Sequence, residues 1–165
     1  MNIERTLKHL FYPGWWLRRD FPEAVLTQIE QAIKSSEAKH SGEIRFAIES
    51  SLPLKALWRD EEIHERAIEV FSLLRVWDTE DNNGVLIYLL LADKKVEITA
   101  DRNINKVVTQ REWQDICAIM EKHFKAGDYA QGVVEGINEI SKRLEKHFPI
   151  KDDDKNELSN KPVIL

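Results

Sequence analysis

The most apolar stretch of the chain runs from Asn83 to Ala92 and follows the polar segment Asp78-Thr79-Glu80-Asp81-Asn82. Turn residues follow it at Asp93-Lys94-Lys95. A short apolar run between turn signals is typical of a strand buried on both faces, and this run is far shorter than a membrane span. We therefore predict a central strand with an acidic loop at its N-terminal end.

Two other segments alternate between apolar and polar residues, as half-buried strands do. The first runs from Glu43 to Glu49 and the second from Val96 to Ala100. Because the second follows the central strand after only a short turn, the pattern predicts an antiparallel hairpin.

Helical spacing of apolar residues predicts four helices. They run from Pro22 to about Lys39, from Arg59 to about Arg75, from Thr109 to Ala126 and from Asp128 to Phe148. Thr109 and Glu112 form a capping box, and Asp128 with Gln131 predicts a second cap. Gly136, within the last helix, is expected where that helix approaches another element closely.

The predicted order is helix, strand, helix, strand, strand, helix, helix, with loops at Ser50–Leu57 and Asp101–Asn105. A strand, a crossover helix and a second strand make a βαβ unit with parallel strands. The fold class is therefore α/β: a mixed β-sheet, built from a βαβ unit plus an antiparallel hairpin strand, with helices on both faces.

The two ends of the chain differ from its middle. Residues 1–21 mix aromatic with basic side chains, whereas residues 149–165 are acidic at first and lack periodicity. We expect an N-terminal arm (1–21), an α/β domain (22–148) and a disordered acidic tail (149–165). The arm either packs its aromatic side chains onto the domain or exposes them to a protein partner or a membrane surface. The final Pro162-Val163-Ile164-Leu165 resembles a docking tag, but we expect a free end.

Composition limits the possible functions. The chain of 165 residues suits one domain, and its net charge of −5 without a basic stripe argues against nucleic-acid binding. The single cysteine, Cys117, excludes an internal disulfide and lies on an apolar helix stripe, which favours a core role. No secretory signal or membrane-length segment is evident. We expect a cytoplasmic protein that is at most peripheral to a membrane.

The acidic loop is the main candidate for chemistry. Asp78, Glu80 and Asp81 offer the oxygen ligands that Ca²⁺ and Mg²⁺ prefer. The loop is not an EF-hand, because Asn83 and Leu89 stand where that motif requires Gly and Glu. A bound metal would therefore need ligands from elsewhere in the chain. The alternative is an ordinary solvated connection.

Asp101 and Arg102 follow the hairpin strand and are the second candidate. Asp101 is a possible additional metal ligand, and Arg102 is either a phosphate-binding residue or part of a structural ion pair. His64-Glu65 begins like a zinc-protease helix, but Ile68 stands where the second histidine would be. We therefore exclude a zinc-protease site at this helix.

Several blocks of sequence together resemble the TPM domain family, found in a thylakoid-lumen phosphatase-like protein and in many bacterial envelope proteins. The matching blocks are Ser41-Gly42-Glu43-Ile44-Arg45, Asn83-Gly84-Val85-Leu86-Ile87-Tyr88, Val96-Glu97-Ile98 with Asp101-Arg102, and Phe124-Lys125-Ala126-Gly127-Asp128-Tyr129 leading into Gly132-Val133. They cover about residues 22–147, as in small bacterial members with little beyond this domain. The resemblance implies a mixed sheet between helices, divalent-metal binding near the acidic loop and a phosphatase activity.

Two functions are therefore expected from the sequence. The first is a non-catalytic binding or assembly module that uses the N-terminal arm, with Ca²⁺ or Mg²⁺ as a possible ligand of the acidic loop. The second is a metal-dependent phosphatase for phosphomonoesters. In it, the resemblance implies that Asp78, Asp81 and Asp101 hold the metal, and Arg102 would steady the phosphate beside Asp101.

Overall fold

The computed structural model describes residues 3–165. Along these residues the helices are α1 (Ile3–Leu10), α2 (Trp15–Asp20), α3 (Glu23–Glu37), α4 (Leu54–Trp58), α5 (Ile63–Leu73), α6 (Arg102–Asn105), α7 (Gln110–Ala126) and α8 (Tyr129–His147). The strands are β1 (Glu43–Glu49), β2 (Gly84–Leu90), β3 (Lys95–Ala100) and β4 (Val163–Ile164).

The four strands form one mixed sheet in the order β3-β2-β1-β4. β1 and β2 are parallel, with Glu43 opposite Gly84 and Glu49 opposite Leu90, and β3 pairs with β2 in antiparallel fashion. Every residue of β2 is buried. The predicted central strand, βαβ unit and hairpin are therefore confirmed.

Helices cover both faces of the sheet, as predicted. One face packs against α3, α7 and α8 and forms the larger core, which includes Phe46, Ile87 and Ile137. The other face packs against α4 and α5 around Tyr88. Cys117 packs against the larger core, where burial raises the pKa of its thiol to about 12. Such a thiol is protonated at neutral pH, in agreement with the predicted core role.

Two glycines lie where another element approaches the backbone closely, Gly84 against rigid backbone and Gly136 against a flexible side chain. A Cβ at Gly84 would lie 2.1 Å from the carbonyl oxygen of Val76. The Asn83-Gly84 sequence therefore lets the segment after α5 cross the start of β2. A Cβ at Gly136 would lie 2.4 Å from the sulfur of Met120, which confirms the predicted close approach of α8 to a neighbouring helix.

Two segments predicted as loops are short helices instead. α4 begins directly after Pro53, which occupies the N-cap with a φ of −59° and a ψ of 149°. α6 begins after Asp101, whose side chain accepts a hydrogen bond from the backbone N–H of Arg102. Both helices are too brief for their apolar spacing to distinguish them from loops.

The start of α5 and the cap of α8 also differ from the prediction. α5 begins at Ile63 rather than near Arg59, because Asp60 adopts a positive φ of 53° and Glu62 forms the capping box. Asp128 occupies the N-cap of α8, but its side chain makes no cap hydrogen bond. The capping box at the start of α7 is present as predicted.

The predicted disorder of the C-terminal tail is wrong. Residues 163–164 form β4, which lies parallel to β1 with Val163 opposite Ala47. Leu158, Val163 and Leu165 pack against the smaller core. The error arose because such a short strand shows no sequence periodicity, although its apolar residues fit a partly open sheet edge.

Candidate functional site

The acidic loop lies at the N-terminal end of β2 and is held by its own polar residues. Thr79 accepts a hydrogen bond from the backbone N–H of Asn83 at 3.1 Å. The Asn83 side chain in turn donates to the carbonyl of Ser41 at 2.5 Å, which ties the starts of β1 and β2 together. Asn82 adopts a positive φ of 49°, a conformation that asparagine tolerates better than most residues. The two asparagines of this loop therefore have structural roles.

The two aspartates of the loop that were predicted to bind metal each lie beside a basic side chain. Asp78 forms a 2.6 Å ion pair with Arg75, and Asp81 pairs with Lys151 of the C-terminal tail. Both carboxylates are about half exposed. Each therefore has a partner that a metal ion would have to displace.

Asp101 and Arg102 lie beside the same loop. Asn103, the next residue, donates from its side chain to the carbonyl of Asp81 at 2.6 Å. One oxygen of Asp101 accepts from the backbone of Arg102 at 2.6 Å, and the other is buried with no hydrogen-bond partner among residues 3–165. The Arg102 side chain is exposed. The fold thus brings Asp101 close to the backbone of the loop.

The arrangement of carboxylates does not form a ready-made metal site. Within the described part of the chain, no three His, Cys, Asp or Glu side chains are grouped as metal ligands. The Asp101 oxygen without a partner is the feature that suits a cation. Asp78 and Asp81 turn toward Arg75 and Lys151 instead.

The N-terminal arm is fastened to the turn between β2 and β3 through Asp93. The carboxylate of Asp93 lies 3.0 Å from Arg5 and 3.1 Å from His9. The other ring nitrogen of His9 accepts the backbone N–H of Leu52 at 2.9 Å. Although burial opposes ionisation of Asp93, its contacts with His9 and Arg5 hold its pKa well below the usual range. Further along the arm, Phe21 is buried in the larger core.

The outward side of the arm is apolar. Its exposed residues, which we call the arm surface, are Ile3, Leu7, Leu10, Phe11 and Trp15. Phe11 is 74% exposed and Trp15 63%. One side of the arm therefore packs onto the domain and the other faces solvent. No helix within residues 3–165 has both the length and the hydropathy needed to cross a membrane.

A cluster of three carboxyl groups, of which Glu43 is buried, was missed by the sequence reasoning and lies at the end of the sheet away from Asp93. Glu37, Glu43 and Asp154 line a groove of about 740 Å³ between α3, the start of β1 and the tail. Burial raises the pKa of Glu37 to about 8 and also raises the pKa values of Glu43 and Asp154. The available signal was Glu43, a charged residue at the first position of a buried strand.

A second missed group lies under α5. Arg66 forms two hydrogen bonds of 2.9 Å to Glu49, and the Tyr88 hydroxyl donates to the same carboxylate at 2.6 Å. Hydrogen bonding to Glu49 raises the pKa of Arg66. Since all the polar atoms involved are mutually paired, this group fastens α5 to the sheet.

Comparisons with known proteins agree with this architecture. The NMR structure of the BA42 protein from the psychrophilic bacterium Bizionia argentinensis is similar with a TM-score of 0.76 and 34% identity, over 86% of this chain and 93% of that one. The N-terminal domain of a P. gingivalis protein shares the fold, with a TM-score of 0.59 and 18% identity over 73% and 76% of the two chains. No curated protein matches. The TPM domain model matches residues 21–143, and the chain therefore belongs to the TPM domain family.

Proposed function

We propose that this chain is a non-catalytic binding module that attaches to an anionic membrane surface through its N-terminal arm. The observation that carries the proposal is the arm surface, in which Phe11 and Trp15 are largely exposed within five positions of the chain. Several large apolar side chains exposed on one short segment mark an interaction site more often than singly scattered ones do. Tryptophan in particular suits the boundary between lipid and water.

The neighbouring helix extends the same kind of surface. α4 contacts α1 and leaves Leu54 and Trp58 exposed, Trp58 by 71%. An apolar helix face that lies in a lipid interface needs no long hydrophobic segment, because only its outer side chains enter the headgroup region. The arm is thus suited to peripheral attachment.

Basic side chains accompany the apolar ones. Lys8 on α1, Arg18 on α2 and Lys55 on α4 are exposed, although the whole chain has a net charge of −5. Each basic residue close to an anionic bilayer contributes about 1 kcal/mol of attraction at moderate salt. These positive charges favour an anionic bilayer over a neutral bilayer, and over a protein surface with few acidic residues.

Vesicle sedimentation with the full chain tests the proposal. We expect binding to vesicles that contain phosphatidylglycerol, weaker binding to pure phosphatidylcholine, and loss of binding at high salt. Phe11→Ser and Trp15→Ser should each weaken binding roughly tenfold or more, because each removes about 1.5 kcal/mol or more of apolar burial. Leu73→Ser is the matched control, since Leu73 is equally exposed on α5, outside the arm.

Two results would contradict attachment through the arm. Equal losses in the Phe11→Ser and Leu73→Ser variants would mean that the arm is not the contact surface. Absence of binding to either kind of vesicle would exclude the lipid surface and leave a protein as the partner of the arm.

A second candidate function is divalent-metal binding at the acidic loop, with phosphomonoester hydrolysis as the associated activity. It is favoured by the buried oxygen of Asp101 that has no hydrogen-bond partner in the described chain. In this proposal Asp101 would hold Ca²⁺ or Mg²⁺ together with Asp78 and Asp81, whose partners Arg75 and Lys151 would move away. A bound divalent ion would supply charge stabilisation for a phosphoryl group, and the exposed Arg102 would bind the phosphate oxygens.

Thermal unfolding in Ca²⁺, in Mg²⁺ and in a chelator tests this candidate, because a ligand of the native state raises stability. We expect a metal-dependent rise in Tm that Asp101→Asn abolishes. Release of phosphate from an aryl phosphate should then be lost in Asp78→Ala and Asp101→Ala. Activity that persists in both variants would exclude this site.

A further inference from the structure

The last nine residues, 157–165, bind the rest of the chain much as a separate peptide would; we call them the C-terminal strap. Glu43 accepts hydrogen bonds from the backbone N–H groups of Glu157 at 3.1 Å and Leu158 at 3.0 Å. The Glu157 carboxylate accepts the backbone N–H of Glu80 in the acidic loop at 2.9 Å. The start of the strap is therefore held by two carboxylates, one from each side.

The middle and end of the strap follow the outer edge of β1. Arg45 donates to the carbonyl of Ser159, and Asn160 donates to Glu37 at 2.6 Å. The backbone N–H of Leu165 donates to the carbonyl of Ile48 at 2.9 Å, which continues the β4 pairing. Main-chain pairing along a sheet edge is one of the recurring ways in which extended peptides are recognised.

Apolar side chains supply the sequence preference of this interaction. Leu158, Val163 and Leu165 pack against the smaller core beneath α4 and α5. The edge therefore accepts a segment with one apolar residue near its start and two alternating apolar residues at its end. The alternation matches a strand in which every second side chain faces the core.

The connection to the strap is exposed. Residues 151–157 are all exposed and contain no helix or strand. Glu43 and Ile48, which hold the two ends of the strap, lie more than a hundred positions away in sequence, so these contacts do not depend on which chain supplies the strap. Exchange of such an element between identical chains is a low-cost route to a dimer.

We propose that the outer edge of β1 is a peptide-binding site for an extended C-terminal segment, and that two copies of this chain exchange their straps through it. In one chain the strap competes for its own site at the millimolar effective concentration of a short flexible tether. The wild-type chain is therefore mostly closed on itself, and exchange increases with protein concentration.

A full-length receptor with a defective strap tests the binding site. The variant carries Val163→Lys and Leu165→Lys, which leaves the β1 edge unchanged. The probe is a fluorescent peptide with the sequence of residues 157–165. We expect saturable binding to the variant, binding at least roughly tenfold weaker to the wild-type chain, whose own strap competes, and no binding of a control peptide with the same two lysines.

Each alternative outcome of the peptide assay is informative. If the variant has native circular dichroism but does not bind the probe, or binds both peptides equally, the proposed site is wrong. If the variant loses cooperative unfolding, the wild-type peptide should restore it and the lysine peptide should not; failure to restore it overturns the proposal as well.

Sedimentation of the wild-type chain tests exchange. We expect the fraction of dimer to increase as the protein concentration rises from micromolar to near-millimolar, and the dimer to dissociate when excess peptide is added. A chain that stays monomeric throughout, or a dimer that the peptide leaves intact, would show that straps are not exchanged.

Discussion

Replacement of Glu37 by glutamine should change how the stability of this protein depends on pH. Glu37 is the last residue of α3, and its carboxyl group accepts the backbone N–H of Ile44 at 2.8 Å and the side chain of Asn160 at 2.6 Å. Burial, opposed by the Ile44 hydrogen bond and aided by the nearby charge of Glu43, raises its pKa to about 8. Folding therefore favours the protonated form.

The sign of the effect follows from this difference. The unfolded chain releases the Glu37 proton near its ordinary pKa of 4.5, whereas the folded chain keeps it until about pH 8. The contribution of Glu37 is thus fully present below pH 4.5 and is lost as the pH rises through 8. His40 acts oppositely at lower pH: burial lowers its pKa from 6.5 to about 4, so its contribution is lost as the pH falls from 6.5 to 4.

Between pH 6.5 and 8 the effect of Glu37 can be measured largely apart from that of His40. The pKa of His40 is 6.5 in the unfolded chain and about 4 in the folded chain, so neither value lies above the lower limit of this interval. Because half of the Glu37 carboxyl groups are ionised at pH 8, the folded chain holds on average about 0.8 proton more at Glu37 than the unfolded chain over this interval. At about 1.4 kcal/mol per proton and pH unit, the wild-type protein should lose about 1.7 kcal/mol of stability that Glu37→Gln does not lose.

Urea unfolding at pH 6.5 and pH 8 measures this difference directly. Glu23→Gln is the matched control, because Glu23 is an exposed glutamate in the first turn of the same helix. The control should show the wild-type pH dependence. If Glu37→Gln shows the wild-type dependence too, the Glu37 carboxyl group is ionised in the folded protein and the argument from burial is wrong.

Two further predictions concern the packing and the arm. Gly84→Ala should lower the free energy of unfolding by about 3 kcal/mol or more, because the new methyl group meets the rigid backbone of Val76. Gly136→Ala should change it by about 1 kcal/mol or less, since the flexible Met120 side chain can move and alanine favours a helix. Urea unfolding of both variants measures these two changes. Asp93→Asn should lower stability by about 2 kcal/mol after allowance for solvent screening and should expose the arm to limited proteolysis. An unchanged melting curve and cleavage pattern would mean that Asp93 does not fasten the arm.

The hydrophobic pattern predicted the centre of the fold well because the pattern and the packing there have the same cause. β2 is buried on both faces, and β1 packs alternate side chains against different helix layers. The pattern of apolar residues in each strand therefore follows from what covers its two faces. The capping box of α7 was likewise visible, since Thr109 and Glu112 contact each other locally. The short helices α4 and α6 have no repeated apolar pattern, and the only sequence signal for each is its N-cap residue, Pro53 for α4 and Asp101 for α6.

The candidate site was only partly predictable. The closeness of Asp101 to the acidic loop follows from the hairpin, because the end of β3 must return to the start of β2. The partners of Asp78 and Asp81 do not follow from any such rule. Lys151 lies 70 positions after Asp81 and reaches it only because the tail turns back along the sheet.

The arm and the start of the strap are held at opposite ends of one sheet. Asp93, in the turn after β2, fastens the arm, whereas Glu43, at the first position of β1, accepts the backbone of the first strap residues. Because β1 and β2 are parallel and in register, their full length separates these two attachments. The strap then follows β1 until the backbone of Leu165 bonds to Ile48. The hydrogen bonds of Asp93 and those of Glu43 share no residue, and perturbations of such separate contacts usually add. Release of the arm by Asp93→Asn should therefore leave the start of the strap in place.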